Sequence, residues 1–223
     1  MTHPGIIKIC GLSTPETLEA ALDAGADMVG FVFFSKSPRN VSLEQARELG
    51  DQAHGRVRIV ALCVDAEDKT IEDIIIALRP HLLQLHGQET SARVATIRRR
   101  FGAPVMKALG IRSTSDLAQI PAYAAVCDHL LFDAKPPNDA ALPGGNGVAF
   151  DWSLLQGLDL ALPAMVSGGL NAGNVARAIQ ITGLRGVDVS SGVETAPGIK
   201  DAELIAGFVR KARAAFAEFQ EQQ

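Results

Sequence analysis

The chain has 223 residues, 47% of them apolar and 21% charged, and its 21 basic and 25 acidic side chains leave a net charge of −4. That balance excludes a disordered or fibrous chain, and without a long run of one sign it argues against nucleic acid or an anionic membrane as the main partner. Three scattered cysteines, Cys10, Cys63 and Cys127, make neither a disulfide framework nor a Cys-x-x-Cys metal motif, which fits a reducing cytoplasm. No stretch approaches the ~18 consecutive apolar residues of a membrane span, and the first residues lack a secretory pattern.

Short apolar runs rich in β-branched residues alternate with amphipathic stretches opened by Ser, Thr, Asp or Asn. In chain order the pattern predicts strand 6–10, helix 14–24, strand 28–33, helix 42–51, strand 57–63, helix 70–78, strand 82–85 and helix 89–100. It continues with strand 105–108, helix 113–120, strand 129–133, a short helix 152–155, strand 164–167, helix 172–181, strand 186–189 and helix 201–218. In the last helix Leu204, Ile205, Phe208, Val209, Ala212 and Phe216 recur at i, i+3, i+4 spacing, the mark of one docked face. Eight strand–helix units in this length leave about 28 residues each, which predicts a single-domain (β/α)8 TIM barrel over residues 1–223 with few insertions.

A doubly wound dinucleotide-binding sheet would carry Gly-x-Gly-x-x-Gly in its first turn, whereas here the turn is Cys10-Gly11-Leu12-Ser13. The least regular stretch, 134–149, holds Pro136, Pro137 and Pro143-Gly144-Gly145-Asn146-Gly147, and is expected to be a lid over the site.

In such a barrel chemistry sits at the carboxyl ends of the strands, so polar residues there are the candidates. Strand one ends in Cys10, which reads either as a buried small hydrophobe or as a thiolate base. Strand four runs into Gln84-Leu85-His86-Gly87, and His86 is either structural or ligand-facing. Strand six ends in Asp133 after three apolar residues, a setting that suits a proton donor or a loop-orienting carboxylate. Arg39, after strand two, is a clamp for a carboxylate or a solvated loop residue. Lys107 at a strand end is a Schiff-base candidate or one half of a rim ion pair. Strands seven and eight lead into Ser167-Gly168-Gly169-Leu170 and Asp188-Val189-Ser190-Ser191-Gly192, two glycine-rich turns whose amides suit a phosphate. Cys63 and Cys127 read as structural.

Taken in order, Lys8-Ile9-Cys10-Gly11, Ser37-Pro38-Arg39, Gln84-Leu85-His86-Gly87, Phe132-Asp133, Gly144-Gly145-Asn146-Gly147, Ser167-Gly168-Gly169-Leu170 and Asp188 to Glu194 closely resemble phosphoribosylanthranilate isomerase along nearly the whole chain. The resemblance implies an Amadori rearrangement, the third step of tryptophan synthesis from chorismate, on a small phosphoribosylated anthranilate. It implies no cofactor, no metal, no nucleic acid and no membrane, and a cytoplasmic monomer or homodimer. By motif, Asp133 is the general acid at the ring oxygen, Cys10 the general base at C2′ and Arg39 the holder of the anthranilate carboxylate. Ser167, Gly168, Gly169, Ser190, Ser191 and Gly192 bind phosphate, while Gln84, His86, Gly144, Gly145 and Asp188 line the site. The histidine-pathway isomerase on the same fold is expected to use two aspartates, so a cysteine ending strand one favours the tryptophan pathway. Asn146 stands where the family more often has threonine, a departure that bears on loop closure. Two rival readings are a Schiff-base aldolase using Lys107 and a catalytically silent phosphosugar-binding barrel.

Overall fold

Strands that are apolar at both alternating positions have no face to give to water, so they are stable only beneath a layer of helices. The structure, a computed structural model, describes residues 5–135, 144 and 150–221. Eight strands, β1 (Ile6–Cys10), β2 (Met28–Phe33), β3 (Arg58–Cys63), β4 (Leu82–Leu85), β5 (Val105–Ile111), β6 (His129–Ala134), β7 (Ala164–Val166) and β8 (Gly186–Val189), pair in parallel in chain order. β8 closes the barrel onto β1, with Ile6 opposite Gly186 and Lys8 opposite Asp188. Helices α1 (Pro15–Asp23), α2 (Leu43–Ala53), α3 (Asp68–Leu78), α4 (Ser91–Phe101), α5 (Ile120–Ala124), α6 (Val175–Thr182) and α7 (Ala202–Glu221) alternate with the strands.

Local chemistry sets where these helices begin and end. Ser42 caps α2 reciprocally: its Oγ accepts from the Gln45 amide at 3.1 Å, and its own amide donates to Gln45 Oε1 at 3.0 Å. Thr14 caps α1 ahead of Pro15, and α4 and α6 stop at left-handed Gly102 and Gly183.

Strand alternation divides the apolar interior in two. Outward residues such as Ile7, Ile9, Phe31, Leu83, Phe132 and Val187 pack with helix residues including Leu18, Leu49, Ile71, Ile179 and Phe208. Inward residues Met28, Val60, Leu82, Met106, Ala108, Leu131 and Met165 form a separate plug inside the barrel. Above that plug the inward positions turn polar, which places the site at the carboxyl-terminal mouth.

Several elements depart from the pattern. β5 runs on to Ile111, and the helix expected at 113–120 is a 3₁₀ turn over Thr114–Gln119 followed by the short α5. The stretch 152–155 is also 3₁₀, and α6 starts at Val175. Glu89 lies before α4, whose cap is Thr90. A small hairpin of β9 (Glu194–Ala196) and β10 (Ile199–Lys200) follows β8; segments of three and two residues are too short to carry a period. Most of the expected lid lies outside the described residues. Among the described residues no helix is long and apolar enough to cross a membrane.

Phe208 is fully buried between α7 and the barrel wall. Phe208→Ala is expected to destabilise the protein by about 3–5 kcal/mol, read as a lowered urea midpoint.

Candidate active site

At the mouth, inward positions of neighbouring strands bring Cys10, His86, Asp133 and Ser167 to one rim, with Lys8, Gln84 and Asp188 buried just below. Asp133 is 5% exposed; its Oδ1 accepts the Ala134 amide at 2.8 Å, and its Oδ2 lies 3.1 Å from His86 Nε2. Gln84 Nε2, itself a donor, sits 2.9 Å from His86 Nδ1; with the amide in this orientation Nδ1 accepts, and the tautomer that fits carries its proton on His86 Nε2, facing Asp133. Gln84 Oε1 is buried without a hydrogen-bond partner among the described residues. Rotation of the amide by half a turn would let Gln84 Oε1 accept from His86 Nδ1–H and leave His86 Nε2 to accept from a protonated Asp133. The chain Gln84–His86–Asp133 therefore suits both proton states of the carboxyl group.

Two glycines make room around that carboxyl. A Cβ on Gly144 would come 2.7 Å from Asp133 Oδ2 and from His86 Nε2. A Cβ on Gly168, whose φ is +81°, would meet the Ala134 amide nitrogen at 2.6 Å and Asp133 Oδ1 at 2.9 Å. Backbone from the loop after β6 and from the turn after β7 thus approaches the carboxyl to a distance no side chain allows.

Cys10 is 3% exposed at the end of β1 beside Val32 and Leu62. Burial pushes its thiol above the ordinary range; the Lys8 ammonium partly offsets this and the Asp188 charge adds to it. Lys8 is fully buried, with Nζ 2.8 Å from Asp188 Oδ1. Burial alone would lower Lys8, but Asp188 and the neighbouring Cys10 outweigh it and keep the ammonium charged. Ser167 Oγ donates to Asp188 Oδ2 at 3.2 Å and fixes the far side of the pair.

Beside Gly11, Arg39 is held bidentately by Glu194, Nε to Oε1 at 2.7 Å and Nη2 to Oε2 at 2.8 Å. Lys200 donates to the same Oε1 at 2.7 Å and to the Ser190 carbonyl at 2.9 Å. Two cations, Arg39 and Lys200, thus converge on the Glu194 carboxylate. The two glycine-rich turns meet: a Cβ on Gly192 would overlap the Leu170 carbonyl oxygen at 1.8 Å, so Gly192 packs directly on the Leu170–Asn171 end of the turn after β7. Asn174 braces that turn by donating to the Gly169 carbonyl at 2.9 Å.

Every site residue expected from sequence except Gly145, which lies outside the described residues, is at this mouth or directly beneath it. Lys107 is the correction to the aldolase reading. It falls on the outward face of β5, and its Nζ is bound by the Leu85 carbonyl at 3.2 Å, the Gly87 carbonyl at 2.7 Å and Glu89 Oε2 at 2.8 Å. Glu89 in turn accepts the amides of Asp65 and Gly87, so the pair ties together the loops after β3 and β4 behind His86. Cys63 is buried and pushed up to about 12, mainly by desolvation, which suits a packing role. Sequence reasoning gave no role to Lys8, Glu194 or Lys200; a lysine at an inward strand position signals a buried partner, but only topology names it. Among the described residues no group of three or more His, Cys, Asp or Glu side chains is placed to hold a metal ion.

Comparison with known proteins bears on the family and the fold. A model of the N-(5'phosphoribosyl)anthranilate (PRA) isomerase family matches residues 7–211. An N-(5'-phosphoribosyl)anthranilate isomerase of Rhodopseudomonas palustris (strain BisB18) is 63% identical over 211 residues, covering 95% of this chain and 97% of the relative. The crystal structure of phosphoribosyl anthranilate isomerase from Thermotoga maritima matches with a TM-score of 0.85 at 35% identity over 94% of this chain and 99% of that one. A phosphoribosyl anthranilate isomerase crystallised with reduced 1-(o-carboxyphenylamino)-1-deoxyribulose 5-phosphate matches at 32% identity and TM-score 0.79, over 94% and 99% of the two chains.

The Arg39–Glu194–Lys200 cluster has a pH signature. Burial alone would raise the Glu194 carboxyl, but the Arg39 hydrogen bond and the Lys200 charge hold it below its ordinary value of 4.5. Its stabilisation is therefore complete above that value and lost as pH falls through the lower folded-state value. Glu194→Gln is expected to lose roughly 3 kcal/mol at neutral pH, with the difference from wild type shrinking on acidification, as measured by urea unfolding across the acid range.

Proposed function

The chain belongs to the N-(5'-phosphoribosyl)anthranilate isomerase family, and from that membership we propose how its own side chains carry the reaction. The enzyme converts N-(5-phosphoribosyl)anthranilate into 1-(2-carboxyphenylamino)-1-deoxyribulose 5-phosphate in tryptophan biosynthesis. C1 of the sugar is reduced and C2 oxidised within one molecule, so the electrons stay in the substrate and only protons must be moved. One acid and one base on either side of the sugar suffice.

In this reading Asp133 protonates the furanose ring oxygen, and the C1–O bond breaks as the anilino nitrogen lends its electrons to form the iminium. Asp133, left as the carboxylate, is met by the His86 Nε2 proton. The Cys10 thiolate then takes the C2′ proton, and that C–H pair becomes the C1–C2 double bond while the iminium nitrogen is neutralised. Tautomerisation of the enolamine yields the ketone. The observation that carries the reading is the placement of Cys10 and Asp133, both buried and inward, at the carboxyl ends of β1 and β6, three strands apart around the closed barrel.

Binding follows the charges. The Ser167–Gly169 and Ser190–Gly192 turns offer backbone amides to the phosphate, with Gly168 and Gly169 both left-handed. Arg39, oriented by Glu194, supplies positive charge for the anthranilate carboxylate, while Gln84, His86, Asp188, Gly144 and Gly145 surround the sugar. Residues 1–223 act as one catalytic domain, as a monomer or homodimer, in a reducing compartment such as the cytoplasm. The three free cysteines are in keeping with that compartment. The silent-barrel reading gives way to the family's activity, and the aldolase reading to the buried bonds of Lys107.

Cys10→Ala and Asp133→Asn are each expected to lower kcat by about 10²–10⁴-fold with unfolding midpoints close to wild type. The assay is the decay of anthranilate fluorescence from freshly generated substrate. Undiminished turnover in either variant removes that residue from the mechanism.

A further inference from the structure

We propose that Lys8 is a positioning residue for proton abstraction: its ammonium, anchored by Asp188 inside the barrel, sets the ionisation of the Cys10 thiol two residues along the same strand face. This rests on the reading of Cys10 as the base. Lys8 is fully buried, and its partner Asp188 comes from the strand on the other side of the closing seam. On the remaining flank, β2 presents Gly30. A Cβ there would come 2.9 Å from Cys10 Sγ and 3.3 Å from Lys8 Cε, so the missing side chain is what lets the lysine stem and the thiol share one compartment.

A buried ion pair is a weak device for stability, since apolar residues of similar volume commonly serve as well. Its location beneath the thiol gives it a chemical purpose instead. The charged groups facing Cys10 are Lys8 on its own strand, Asp188 on β8 and Lys200 on β10; β2 contributes Gly30 and Val32, and β3 contributes Leu62. Desolvation drives the thiol up, the two lysines favour the thiolate and Asp188 opposes it. Lys8 and Asp188 therefore act on Cys10 with opposite signs, although they act on each other as a pair. When the thiolate takes the C2′ proton its charge is lost, and the ammonium stays neutralised by Asp188 rather than stranded in the barrel.

The test titrates Cys10 by the ultraviolet absorbance of its thiolate, with the Cys10→Ala spectrum subtracted, in wild type, Lys8→Met, Asp188→Asn and the double variant. Lys8→Met is expected to move the Cys10 midpoint up by roughly one to three pH units, and to slow kcat at neutral pH about tenfold for each pH unit with KM little changed. Asp188→Asn is expected to move the midpoint down. A purely structural pair would not shift the thiol in opposite directions. The double variant, which leaves no buried charge alone, keeps the test open if Lys8→Met fails to fold: its midpoint should lie above that of Asp188→Asn. A Cys10 midpoint unchanged by loss of Lys8 in both backgrounds overturns the proposal. Full turnover in Cys10→Ala overturns the base assignment beneath it, and the two results are distinguishable because the titration needs no turnover.

Discussion

Closing eight parallel strands into a barrel buries both faces of every strand, so a charge at an inward position must find its counter-charge inside. The lower interior obeys by being apolar, with three methionines, Met28, Met106 and Met165, among its packed side chains. Above it, Lys8 and Asp188 face one another at 2.8 Å across the seam where the first strand meets the last. Residues 180 positions apart in sequence are thereby joined at the one place where closure of the sheet, the change from apolar to polar, and the floor of the active site coincide.

From that floor the site divides into two halves of different character. Around Asp133 the theme is hydrogen bonding with reversible polarity: a histidine and a glutamine accommodate the carboxyl with or without its proton, and glycine backbones enclose it. Around Cys10 the theme is fixed charge, with a raised thiol balanced against an ammonium. In the proposed mechanism, acid and base are thus tuned by different means. The Arg39–Glu194–Lys200 cluster brings two cations together on one carboxylate at the lip, close to the glycine-rich turns. The Lys107–Glu89 pair is likewise a buried lysine–carboxylate pair but lies on the outer face of the sheet, where it fixes loops. The parity of one strand position decides whether such a pair faces the barrel interior or the helix layer.

Most of the fold was legible because each strand and long helix carries its own period and its own punctuation, as at Ser42-x-x-Gln45 and Gly102. The failures are elements too short to have a period, such as β9 and β10, or helices replaced by 3₁₀ turns. At the site, Cys10, Asp133, His86 and the glycine turns stood out as candidates because polar residues interrupt apolar strands at a rim, but that pattern left each open to a structural reading, and the family resemblance supplied the proposed roles. Lys107 was legible as an ion-pair candidate but not as an outward one, since a slip of one residue in register reverses the face. The partners of Lys8 and Arg39 were hidden for another reason: their bonds join residues 180 and 155 positions apart, pairings set by closure of the barrel, while Lys200 meets Glu194 only six residues away through a hairpin too short to show a period.

The central claim is that Asp133 opens the ring and Cys10 removes the C2′ proton as separate steps by separate groups. It is tested most directly by the kinetic isotope effect on kcat with substrate deuterated at C2′, compared among wild type, Cys10→Ser and Asp133→Asn. The account predicts that slowing the base enlarges the effect in Cys10→Ser, because C–H cleavage becomes limiting. It predicts that slowing the acid suppresses the effect in Asp133→Asn, because ring opening becomes limiting. An effect that moves the same way in both variants, or that vanishes in Cys10→Ser, would contradict it.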